Sequence, residues 1–434
     1  MINDNIELLN LIEISQYDID KQKSTVHVDK VNKSITADVY ITPRYRDCPF
    51  CKSNGAIIHS HKTRRLYHPI LSSYTTTIIF HQILFKCKEC GHSFVQYNPL
   101  CSGSKSITKL GELNLLEQLR SPRKTFKDLS NEYFIPESSI IRCFDEHVNI
   151  KRHELSKVIC FDEIYAKKLT DTKYAFCIFD PMTNVMLDIV DCRRKNTLEP
   201  YFSRIPIKER LKVQYVNIDM YNTYKVLAEQ AFPNATICCD SFHVIEHLTK
   251  AMDQYRLAIQ RKFVKDKDSD KNGYYWLLKS FHYYFTSNFD DINYHWKPKS
   301  HYSYLRDKYA VLNKLLSIDK GLKEAYELQM DYREFNKCGT YEEALYKIDD
   351  FIERFYKIDF LDFKNFATTL SNWKFEIINS FLVIDGKRMS NGPIESVNGR
   401  TKRILYDGYG YSNFERFRNR VMFSLNKKEP LIFK

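Results

Sequence analysis

Three carboxylates and two pairs of thiols are the residues of this 434-residue chain whose types and settings could do chemistry. Asp162 closes the apolar run 157–161, and Asp219 closes the run 213–218. If those runs are neighbouring strands, both carboxylates emerge at one sheet edge. Glu395 lies in Ser390-Asn391-Gly392-Pro393-Ile394-Glu395. Ser390, Asn391 and Gly392 offer helix-capping chemistry and Pro393 suits the first helical position, so Glu395 falls in a first turn. Asn398, Gly399 and Lys402 follow on the same helical stripe. Crowded carboxylates repel one another unless a cation joins them. Oxygen-only ligands suit Mg²⁺ or Mn²⁺. Two such ions, roughly 4 Å apart, activate an attacking oxygen and stabilise a leaving one, as in phosphodiester hydrolysis and strand transfer. Asp240 also closes an apolar run and is the rival ligand, with His243 three residues on. Both read as groups supporting the carboxylates or touching DNA; equally, Asp240 could simply cap the next helix.

The thiols stand as Cys48-Pro49-Phe50-Cys51 and Cys87-Lys88-Glu89-Cys90. Two such knuckles suit a tetrahedral, structural Zn²⁺ site, because each places two thiolates at one turn. Strands over 74–80 and 82–86 would form the hairpin between them. Arg64 and Arg65 help make this module basic, which points to a DNA-binding surface.

The elements that must position these groups can be read from periodicity. Residues 105–150 read as helices, with a break at Phe134-Ile135-Pro136 and Arg142 on the second helix of a helix-turn-helix. From 157 the pattern becomes three strands, a helix, then strand, helix and strand. That order matches a ribonuclease H-like mixed sheet in an α/β core. Residues 242–382 carry almost no strand signal and read as an all-helical insertion. The expected organisation is a leader (1–45), a zinc ribbon (46–104), a helix-turn-helix (105–150), a catalytic domain (155–245 with 385–425) and the insertion (246–384).

Net charge is +12, and residues 396–434 hold nine Lys/Arg against three Asp/Glu. With Tyr and Phe interleaved, Arg400, Lys402, Arg403, Arg418 and Arg420 suit a surface that touches nucleic acid. No apolar run approaches the roughly 18 residues of a membrane span, and the N-terminus does not resemble a signal peptide. The expected location is the cytoplasm. The other cysteines are then reduced; Cys160, Cys177, Cys238 and Cys239 fall in apolar runs and read as core.

Taken together, the cysteine pairs, Phe161-Asp162-Glu163, Ile218-Asp219-Met220 with Tyr224, Asp240-Ser241-Phe242-His243, and Ser390-Asn391-Gly392-x-x-Glu395 with Asn398 and Lys402 resemble the ISL-type branch of bacterial insertion-sequence transposases of the Asp-Asp-Glu class. The resemblance spans most of residues 45–424. It implies that Asp162, Asp219 and Glu395 are the catalytic triad, holding two Mg²⁺ or Mn²⁺ ions. It implies that the zinc ribbon and helix-turn-helix recognise terminal inverted repeats in double-stranded DNA. Cleavage at an element end would free a 3′-hydroxyl that attacks target DNA, in a homodimer or larger assembly. Tyr221, Ser241 and Gly399 depart from the family's usual residues. The competing expectation is a catalytically inactive, transposase-derived DNA-binding regulator.

Overall fold

The computed structural model describes all residues save 1, 45–46, 104, 167–168, 264–268, 299, 301, 390–391, 409–410, 427 and 433–434; for 2–5, 269–272 and 393–395 it describes the backbone alone. The chain divides into two compact units, residues 1–151 with 399–434, and residues 152–398. Among the described residues, no helix is long and apolar enough to cross a membrane.

In the first unit, β1 (Thr25–Asp29), β2 (Ser34–Tyr40), β3 (Ala56–Tyr67), β4 (Thr75–Cys87) and β5 (Ser93–Val95) form one sheet in the order β1-β2-β4-β3, with β5 also on β4. The residues expected to form a leader thus supply two strands of the sheet that carries the cysteines. β2 pairs with β4 in parallel, burying Ile35, Ala37 and Val39 on alternate positions. The expected hairpin strands are one 13-residue strand, β4, paired antiparallel to β3. His59 is the extra residue of a bulge between Ile58 and Ser60. Near that level the buried set of β4 switches from even to odd positions at Gln82 and Ile83.

Three helices follow: Lys109–Gln118, Phe126–Tyr133 and Glu137–His147. Thr125 and Asp128 close a capping box on the second helix. Phe134, in the left-handed region at φ 55°, ends it, and Pro136 starts the third. Gly111 must be glycine, since a Cβ there would sit 2.4 Å from the Pro69 ring. The helix Phe414–Leu425 buries Phe417, Val421, Met422 and Phe423, and Phe423 meets Phe144 edge-on at 5.9 Å. Arg416 holds Asp145 at 2.7 Å. This helix therefore completes the core of the N-terminal helical group, where a catalytic-domain segment was expected.

The second unit is built on β6 (Val158–Tyr165), β7 (Tyr174–Asp180), β8 (Val185–Val190), β9 (Tyr215–Ile218) and β10 (Thr236–Cys239). Their order is β10-β9-β6-β7-β8. β6, β7 and β8 form an antiparallel meander, and β9 and β10 run parallel to β6. This mixed sheet is compatible with a ribonuclease H-like core. Helices Lys195–Ser203 and Asn222–Ala231 cover it, and Phe161, Phe176, Phe202, Tyr224 and Phe232 pack together beneath them.

Between β10 and residue 382 the described elements are helical, from Ser241–Arg261 to Lys374–Asn379. Their core is continuous with the sheet through Cys239 and Val244. Asn379 Nδ2 also donates to the Ile237 carbonyl at 2.9 Å, holding the last of these helices to β10. A small hairpin, β11 (Val383–Ile384) and β12 (Lys387–Arg388), turns through Asp385 and Gly386, both at positive φ. It leads into the helix Gly392–Asp407.

Candidate active site

The sheet register brings the first carboxylates together. Cys160 on β6 pairs with Asn217 on β9, and Ile218 on β9 pairs with Cys239 on β10. Asp162, inside β6, and Asp219, one residue past the end of β9, each lie two residues beyond the first pair, so the register carries both to one face at this sheet edge. Asp240 follows Cys239 in the same row, and its N–H donates to the Ile218 carbonyl at 2.9 Å. The row sits where parallel strands deliver their carboxyl ends.

Asp162 was expected to follow its strand; instead it lies inside β6. The parallel pairing with β9 stops at Cys160, but the antiparallel pairing with β7 continues from Asp162–Cys177 to Tyr165–Tyr174. β6 thus outruns β9 by several residues, and Asp162 sits where one flank has lost its strand partner. Alternation sends Glu163 to the opposite face, where it accepts from the Tyr224 hydroxyl at 2.5 Å and from Arg193 at 2.6 Å.

Asp162 accepts the Glu163 N–H at 2.6 Å on Oδ1 and the Asn398 side-chain amide at 2.5 Å on Oδ2. Burial, and next the Asp219 carboxylate, push Asp162 up to about 7. His243 Nε2 lies 2.9 Å from Asp219 Oδ1 and 3.9 Å from Asp240 Oδ2. The bond to Asp219 is the main cause that lifts His243 to about 9. At neutral pH the imidazolium is therefore the cation of this cluster. Asp240 occupies the N-cap position of Ser241–Arg261, yet its side chain makes no capping bond; it is buried beside His243. Asp219, Asp240 and His243 hold their ligand atoms within 4.8 Å of one another.

Glu395 is on the helix Gly392–Asp407, three residues before Asn398, and its side chain lies outside the described residues. Asn398 is what ties this helix to Asp162. Its other amide atom, Oδ1, is buried with no hydrogen-bond partner among the described residues, an oxygen donor left unused. These oxygen donors, with a half-buried carboxylate that burial and Asp219 keep partly protonated, fit a hard divalent cation.

A family model described as a transposase, of the ISL3 type in the Asp-Asp-Glu class, matches residues 159–421. The chain belongs to this family. The match begins three residues before Asp162, takes in Asp219, Asp240 and Glu395, and leaves the paired cysteines outside it. The chain is also similar to the transposase for insertion sequence element IS1001 of Bordetella parapertussis, with 21% identity over 275 residues. That alignment covers 62% of this chain and 61% of the relative's length.

In this member of the family the four paired cysteines converge, with all four sulfurs within 4.8 Å of one another. Cys48 and Cys90 are 3.6 Å apart, as are Cys51 and Cys87. The two knuckles close alike. Lys52 (φ 64°) and Gly91 (φ 73°) follow the second cysteine of each pair in the left-handed region. Each donates its N–H back to the first cysteine's carbonyl, at 2.8 and 3.1 Å. The Cys90 N–H, with the Ser53 hydroxyl, holds the Cys87 thiol down at about 6.

The residues expected to touch DNA divide. Arg65, Arg142, Arg400, Lys402 and Arg403 are exposed. Arg64 is half-buried and donates to the carbonyls of Gly103 and Lys105 at 3.0 and 2.7 Å. Arg418 and Arg420 do not face solvent: both are buried. Arg418 donates to Ile150 O at 2.7 Å, and Arg420 to Ser121 O and Lys124 O at 3.0 and 2.7 Å. These two guanidiniums satisfy carbonyls that end other elements, and a buried charge held this way has no surface to offer phosphate. The Glu163–Tyr224–Arg193 network was not foreseen; strand alternation past Asp162 was its signal.

Proposed function

We propose that this chain is a DNA transposase that binds the terminal inverted repeats of an insertion sequence and catalyses metal-dependent cleavage and strand transfer. The observation that carries this reading is the sheet: Asp162 and Asp219 lie just past the last β6–β9 register pair, Cys160–Asn217, and burial together with the Asp219 carboxylate makes Asp162 costly to ionise without a cation. The core is then ribonuclease H-like, as its strand order supports.

In this reading Asp162, Asp219 and Glu395 hold the Mg²⁺ or Mn²⁺. When bound, such ions activate an attacking oxygen and stabilise the leaving one. Asn398 orients Asp162 through its amide. His243 holds Asp219 with positive charge until a metal replaces it, and Asp240 shares that imidazolium. Arg400, Lys402 and Arg403 offer charge to the phosphate backbone. The four-cysteine cluster holds structural zinc, and with the helices Phe126–Tyr133 and Glu137–His147 it forms the DNA-reading part, where Arg65 and Arg142 are the exposed cations. Two element ends must be joined, so the working form is a dimer or larger.

The test is cleavage of DNA carrying the element's ends in the presence of Mn²⁺. Asp219→Asn is expected to cut at least about a thousandfold more slowly, the equivalent of roughly 4 kcal/mol. Its DNA binding should stay within about twofold of the parent's. Undiminished cutting would remove Asp219 from the site, and a parent chain that binds ends without cutting would make it a regulator instead.

A further inference from the structure

A second group of metal-ligand side chains lies in the N-terminal unit, away from the paired cysteines. Cys143 and His147 are four residues apart on one face of Glu137–His147, and Glu112 reaches them from Lys109–Gln118. All three are buried, and their ligand atoms lie within 4.8 Å of one another. His147 Nδ1 is 2.7 Å from the Ile432 carbonyl, an acceptor only, so Nδ1 carries a proton and donates it. Nε2 then faces Glu112 Oε2 at 3.3 Å. A backbone carbonyl that fixes one ring nitrogen while the other faces a carboxylate is the support that metal-bound histidines use.

A cation already sits there. Lys105 Nζ is 2.8 Å from Glu112 Oε1 and 3.2 Å from His147 Nε2. It also has a way out, because Glu146, outside the three-residue group, holds the same ammonium at 2.9 Å. A cavity of about 180 Å³ opens beside the group, lined by Lys105, Glu112, Ser139, Arg142, Cys143 and Glu146, with room for a water as fourth ligand.

We propose that Glu112, Cys143 and His147 form a second zinc site, distinct from the four-cysteine cluster, and that Lys105 is the cation occupying it when zinc is absent. Nitrogen, sulfur and oxygen donors in a three-residue set with an open position suit Zn²⁺. On binding, the Cys143 S–H bond breaks and a sulfur–zinc bond forms, the proton leaving to solvent. Lys105 moves to Glu146. Because Cys143 and His147 lie on the second helix of the helix-turn-helix and Glu112 on the helix before it, the metal would clamp the angle between those helices.

The experiment is Zn²⁺ titration of the metal-stripped full chain, with Asp219→Asn as its parent background so that the aspartate row takes no cation, against a competing chromophoric chelator. Two equivalents are expected, the second weaker. Cys143→Ser should lose the second alone, and Cys48→Ser with Cys51→Ser the first alone. Lys105→Met separates the proposal from a purely structural ion pair: with the resident ammonium gone, the second equivalent should bind about tenfold tighter. A single equivalent in the parent chain overturns the proposal. So does a second equivalent that survives Cys143→Ser, or one whose affinity Lys105→Met leaves unchanged.

Discussion

In the function proposed above the four-cysteine cluster and the aspartate row both meet a cation, but they are built in opposite ways. The cysteines are brought together by local turns: each pair is closed by its own left-handed residue, and one antiparallel strand pair joins the knuckles. The aspartates are 57 or fewer residues apart in sequence steps but meet only through sheet register, and their helix partner, Asn398, arrives after the whole helical insertion. The first cluster stabilises its surroundings when filled. The second is a strained concentration of charge that the fold tolerates. Metal should therefore hold the first region together, whereas the second should be more stable once its charge is removed.

The largest effect separates the regions by their response to a lost ligand. Cys87→Ser should destabilise the sheet of β1 to β5 by about 5 kcal/mol or more, since structural zinc binding is itself folding free energy. Limited proteolysis should find new cleavage within residues 56–95 and none within 152–398. Cleavage spread over both units would break the contrast.

Acid should act on the two regions with opposite signs. His68 is buried between Thr108 and the Ile12 carbonyl, and burial holds it down at about 4 from an ordinary 6.5. The unfolded chain takes up that proton first. His68's contribution is therefore complete above pH 6.5 and is lost as pH falls toward 4, by about 3 kcal/mol. Denaturant titrations across that window should show the loss in the N-terminal unit, and His68→Gln should flatten it.

Asp162 runs the other way. Its folded value of about 7 lies above the ordinary 3.8, so the folded state binds the extra proton between them. Without metal, stability is lost as pH rises through that interval and regained as pH falls. Asp162→Asn should stabilise the metal-free chain by about 1–3 kcal/mol at pH 8, while abolishing end cleavage. The gain should vanish near pH 4, where the parent carboxyl is itself protonated. Thermal melts at the two pH values check it, and a destabilised variant at pH 8 would contradict the strained-charge account.

The same contrast explains what could be read from sequence. The cysteine spacing is a local signal, and the runs that became β7 and β8 are apolar almost throughout, as strands covered on both faces require. The place of Asp162 inside β6 depends on β7 extending past the end of β9, which is information held by the partner strands. Arg418 and Arg420 look like surface cations in composition. Their burial follows from the carbonyls of Ile150, Ser121 and Lys124, residues more than 250 positions away. Of the two strands in residues 1–45, β2 alone pairs with β4, in parallel, and that pairing is information held by the partner strand. Glu112, Cys143 and His147 carry no shared spacing in the sequence, because only two of them share a helix.

The central claim is that Asp219 and Glu395 serve one metal site. The most direct measurement is Mn²⁺ binding to the full chain followed by electron paramagnetic resonance. Asp219→Asn and Glu395→Gln are each predicted to weaken Mn²⁺ binding by about a hundredfold, with zinc content unchanged. Parent-like Mn²⁺ affinity in both variants would contradict the account.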